Sequence, residues 1–143
     1  MIKHLTALAA AAAVSLPLAA AAQMERTPAP EGANVYFITP GNGERVASPV
    51  TVRFGTSGIG VAPAGVDHDN TGHHHLLIDT GMPNPNSPIP SDANHRHFGG
   101  GQTQATIDLE PGEHTLQLLM GDARHVPHDP PVASNKITIT VVE

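Results

Sequence analysis

Apolar and polar residues alternate in short runs along this chain, and no run beyond Ala22 keeps a helical period. Residues 50–56 set Val50, Val52 and Phe54 on one face and Thr51, Arg53 and Gly55 on the other, the signature of a half-buried strand. Residues 34–39 (NVYFIT) form an earlier strand, stopped by the turn signal Pro40-Gly41-Asn42-Gly43. Further strands are predicted over 73–79, 102–109, 113–120 and 136–142, the last with Ile137, Ile139 and Val141 on one face.

Several short strands separated by Gly/Pro turns predict an all-β fold, an immunoglobulin-like β-sandwich of about six to eight strands. Residues 34–143 make this single domain, and residues 23–33 (QMERTPAPEGA) read as a flexible leader. Antibody domains carry a cysteine pair and a core Trp, and this chain has neither residue type. Architecture alone does not fix function.

Residues 1–22 start with Lys3, continue as an Ala- and Leu-rich run, and end on three alanines. That is the layout of a secretory signal peptide cleaved after Ala22, and the run is too short for a good membrane span. The expected protein is therefore periplasmic or secreted, without membrane insertion. Having no Cys, it carries no disulfide and no lipidated N-terminal Cys. The mature chain loses Lys3, which leaves six basic against thirteen acidic residues, a net −7. Such a balance argues against nucleic acid and anionic membrane surfaces and is compatible with cations.

The histidines carry the chemistry. Nine of the ten fall between His68 and His128, mostly in tight groups. All except His114 lie in three long loops, 58–72, 80–101 and 121–135, or at the head of the strand between the first two. His73-His74-His75 opens that strand. Residues two apart stand on one face roughly 6–7 Å apart, so His73 and His75 can converge on a metal while His74 joins Leu76 and Ile78 in the core. Leu77, which shares the His73/His75 face, leaves the opposite register open. His95-Arg96-His97 repeats the spacing, and His125-Val126-Pro127-His128 adds a third pair on a proline-stiffened loop. The candidate metal ligands are His73, His75, His95, His97, His125 and His128, with Asp122 or Asp129 placed to orient a ring. Each group has a plainer reading as structural or surface histidine. His114, in phase with Leu116 and Leu118, is expected to have no ligand role, and Met82 and Met120 read as packing residues rather than soft ligands.

Other signatures fail. Residues 67–72 (DHDNTG) open like a calcium loop, but Ile78 stands where a bidentate Glu is needed. There is no H-E-x-x-H, G-x-S-x-G or Walker loop, and no Cys nucleophile.

The strings NTGHHHLLID, HRHFGGGQTQATIDLEPGEHTLQLLMGD and HVPHDPPVASNKITITV closely resemble the hallmarks of a bacterial domain-of-unknown-function family, number 4399, over residues 35–142. The resemblance implies a small exported domain in which His73, His74, His75, His97, Pro127, His128, Pro130 and Pro131 match motif positions. It implies no activity.

Three function classes remain. One is a periplasmic module binding copper or zinc through its histidines, since imidazole and carboxylate donors without thiolate suit both metals. The second is an interaction domain for a protein or glycan, its histidines a structural network. The third is a metalloenzyme. A His-x-His pair in a β-sandwich is shared with copper–zinc superoxide dismutase, but that family's disulfide and remaining ligand pattern are missing.

Overall fold

A computed structural model describes residues 23–143, so the expected signal segment lies outside the described residues. The described chain is all-β. Its nine strands are β1 (Asn34–Thr39), β2 (Arg45–Ala47), β3 (Val50–Ser57), β4 (Gly60–Val61), β5 (Thr71–Ile78), β6 (His95–Phe98), β7 (Gln104–Ile107), β8 (Gly112–Gly121) and β9 (Ile137–Val142). They form two sheets of a β-sandwich, β1-β3-β7 and β2-β9-β8-β5-β4, with β6 also paired to β5. Three strands go beyond the sequence expectation. β2 and β4 are too short to show alternation, and β6 is the His95-Arg96-His97 stretch, whose polar residues read as loop.

The core follows the alternation. Val50, Val52 and Phe54 of β3 meet Leu76, Leu116, Leu118, Met120 and Ile139 of the larger sheet in one buried cluster. Each such side chain contributes about 1.5–3 kcal/mol when taken out of water. β2 lies parallel to β9, so the chain crosses from the smaller sheet to the larger after β1 and returns at β3.

β5 positions the site. It is central in the larger sheet, antiparallel to β8 from His73↔Gly121 to Ile78↔Leu116. On its other edge β4 pairs with Thr71 and Gly72, and β6 pairs with His74 through Leu77. Every residue from Gly72 to Ile78 is buried, so this strand has no solvent face. His74, Leu76 and Ile78 point into the main core. Leu77 points outward, into a second small cluster with Leu119 and Ile89, backed by Ala133. Ile89 comes from the long loop after β5 and is held by its N–H, which donates to the His125 carbonyl at 2.8 Å. The outer face of the sheet is thus roofed by two loops, which resolves the register ambiguity that Leu77 left in the sequence.

The segment expected as a flexible leader makes specific contacts with the loop after β8. Arg26 donates to the carbonyls of Pro127 (3.2 Å) and His128. Asp129 pairs with Pro28 in a parallel bridge: the Ala29 N–H donates to the Asp129 carbonyl and the Asp129 N–H to the Thr27 carbonyl, both at 2.9 Å. Arg124 donates to the Glu25 carbonyl at 2.8 Å.

Candidate metal centre

Four histidines converge on the outer face. His73 and His75 stand two apart on β5, His97 is the β6 residue directly opposite His75, and His125 comes from the loop after β8. One ligand atom from each of His73, His75, His97 and His125 lies within 4.8 Å of all the others. Ring centroids are 4.7 Å apart for His73–His75, 5.1 Å for His75–His97 and 4.8 Å for His97–His125. His73 Nε2 and His125 Nδ1 are 3.1 Å apart. Four nitrogens bonded tetrahedrally at 2.0–2.1 Å would sit about 3.3–3.4 Å from one another. The loosest separation, up to 4.8 Å, would have to close by about 1.4–1.5 Å on metal binding to reach that arrangement.

Local structure explains the convergence. The pleat puts His73 and His75 on one face and sends His74 to the other, where it packs 4.6 Å from Phe54, centroid to centroid. Two glycines make room for the rings. A Cβ on Gly121 would stand 2.8 Å from His75 Cε1 and 3.3 Å from the His125 Cα. One on Gly99 would lie 2.8 Å from His97 Nε2. Asp122 shapes the turn that carries His125: its Oδ1 accepts the N–H groups of Arg124 (2.8 Å) and Val126 (3.0 Å).

His73 and His75 are each 1% exposed, whereas His125 is half-buried and His97 is exposed. The cluster therefore has a dry floor and an open side. Burial, reinforced by the neighbouring rings of His125 and His97, lowers the His73 pKa to about 4. Burial, with His73 and His97 beside it, lowers His75 to about 2. His97 is also lowered, by partial burial and then by His125. His73, His75 and His97 are thus neutral at pH 7, the form in which imidazole binds a metal without first losing a proton.

Asp122 keeps its charge despite its burial. Bonds from Thr27 and from the Val126 and Arg124 amides outweigh the desolvation and hold its pKa below the usual carboxylate range. It binds the loop backbone rather than a His ring, a role that spacing could not show.

The remaining histidines lie elsewhere. His95 shares the outer face of β6, but its Nδ1 is 2.8 Å from Asp92 Oδ1. His128 is buried, its Nε2 donating to the Thr71 carbonyl at 3.2 Å. Its Cε1 lies 2.9 Å from where a Gly72 Cβ would be, on the His74 side of β5. Neither residue is among the four that converge. His114 is held by Asp79 (2.7 Å) and the Glu110 carbonyl (2.8 Å), which raise its pKa, Asp79 foremost. His68 is exposed beside the Asp69 carbonyl. Met120 faces the inner core and Met82 is 44% exposed in its loop.

Fold and cluster together define the class: a small all-β domain with a four-imidazole cluster on the outer face of its larger sheet. Residues 52–142 match the family described as Domain of unknown function (DUF4399), and the chain belongs to it. No curated protein and no solved structure matches this chain.

Proposed function

We propose that this protein is an exported, periplasmic metal-binding module that holds one Cu(II) or Zn(II) ion through His73, His75, His97 and His125. The observation that carries the reading is the convergence of four imidazole ligand atoms within 4.8 Å. The chemistry of the set agrees. Three of its rings are kept neutral, the floor is dry, and one side is open for metal to enter and leave, as buffering or delivery requires. No thiolate is present to favour Cu(I), and among divalent ions the affinity order favours copper over zinc where both are available.

A structural histidine network is the competing reading, and the hydrogen bonding disfavours it. Within the cluster one hydrogen bond joins His73 to His125, while buried Nδ1 atoms of His73 and His75 have no partner. A network built for its own sake would satisfy them, since buried polar groups are normally paired.

The test is calorimetric titration of metal-stripped, untagged mature protein with Cu(II) and with Zn(II), alongside His73→Ala/His75→Ala. Stoichiometric sub-micromolar binding, lost in the variant, is expected. Weak binding indifferent to the substitutions would make the histidines structural.

A further inference from the structure

Of the four ligands, His125 depends most on a loop. Its backbone sits at φ 67°, a left-handed conformation that a non-glycine residue keeps only where its surroundings over-determine it. Asp122 supplies that determination. Its carbonyl accepts the His125 N–H at 2.9 Å, and its Oδ1 closes the turn on both sides, at Arg124 and Val126. The other carboxylate oxygen, Oδ2, accepts the hydroxyl of Thr27 at 2.8 Å. Thr27 belongs to the N-terminal segment, where Arg26 grips the carbonyls of Pro127 and His128 just beyond the turn.

We propose that residues 26–29 are a positioning strap for the metal centre, with Thr27, through Asp122, setting where His125 stands. The inference rests on the metal reading above. Oδ2 is also approached by the exposed Arg124 guanidinium at 3.6 Å, beyond hydrogen-bond distance; the Thr27 hydroxyl makes the short bond that fixes this oxygen, and with it the turn and the ring it presents. Strap docking and metal binding then reinforce each other. Whatever lifts the strap loosens one ligand of four, which gives the site a route to metal release that leaves the sandwich intact.

The test is a double-mutant cycle read by competition titration with Zn(II) and Cu(II). The proteins are the mature chain, Thr27→Val, His125→Ala and the double variant, with Arg26→Gln as a second strap substitution should Thr27→Val fold poorly. Thr27→Val is expected to weaken metal binding about tenfold, the scale of lost outer-shell support, and to have no further effect once His125 is Ala. By linkage, metal should also protect the Ala29 and Asp129 amides from hydrogen exchange in the wild type, and not in His125→Ala. Equal weakening in both backgrounds, or in neither, overturns the strap while leaving the metal site standing. A wild-type chain that binds no metal overturns both.

Discussion

His74→Leu isolates one buried imidazole from the site beside it. His74 is fully buried, both its ring nitrogens lack a partner, and its ring lies against Phe54 on the side of β5 opposite the cluster. Leaving a buried polar atom unpaired costs about 1–3 kcal/mol, and a change of shape at similar volume costs about 1.5 kcal/mol or less. At pH 7 the leucine variant should therefore be as stable as wild type or up to about 2 kcal/mol more stable. The pH dependence is the sharper reading. Burial lowers the His74 pKa from 6.5 to about 4. In that interval the unfolded chain binds a proton that the folded chain refuses. Stability from neutral His74 is complete above pH 6.5 and is lost as pH falls toward 4, at about 1.4 kcal/mol per unit. Between pH 7 and pH 5 this comes to about 2 kcal/mol, which wild type loses and the variant keeps. Urea unfolding of both metal-free proteins at half-unit steps measures the gap directly. A gap that stays constant across this window refutes the titration argument. A variant less stable by 3 kcal/mol at pH 7 refutes the claim that His74 has no partner. Metal affinity should be unchanged, because the substitution is on the other face.

Further expectations follow from the same geometry. His73 and His75 titrate in the same sense as His74, so the three together should cost the metal-free protein about 4 kcal/mol between pH 7 and 5.5. Thermal melts should show this as a fall of at least about 10 °C, and a flat profile would count against buried neutral imidazoles. Gly121→Ala drives a methyl into His75, with Cε1 only 2.8 Å away. It should cost about 1–3 kcal/mol and weaken metal binding more than tenfold; retained affinity would show that His75 is not a ligand. His95→Ala and His128→Ala should leave affinity within about twofold of wild type on titration, although His128→Ala gives up a buried hydrogen bond worth about 1 kcal/mol. A large loss of affinity in either would move the centre away from the four converging residues.

The strands that alternate cleanly, β3 and β9, could be read from sequence because each has one wet face. β5 was legible as a strand but its inward face was not, because apolar residues occupy both faces and the roof over the outer one comes from Ile89, a residue in a proline-rich loop. The three His pairs were visible by spacing, but spacing could not say which member of the later two joins the cluster. In the second pair Asp92, three residues before His95, takes that ring and leaves His97 to the cluster. In the third, the left-handed turn at His125 directs it outward while His128 continues along the chain beneath Gly72. The same limit hid the glycines. Gly99 and Gly121 look like ordinary turn and strand-end residues until a ring is found where a side chain would be.

The four histidines come from three separate stretches of a chain that has no cysteine. An ion held by them would join residues 75, 97 and 125, closing two loops of 22 and 28 residues. Cross-links of that span, made covalently, are each worth about 3 kcal/mol through the freedom they remove from the unfolded chain. The ion would then be a reversible staple, doing in this domain what a disulfide does in many exported proteins of similar size. Chelation would cut that staple without a reductant, and under the open side of the cluster the two roofing loops would be the first parts of the molecule to come free.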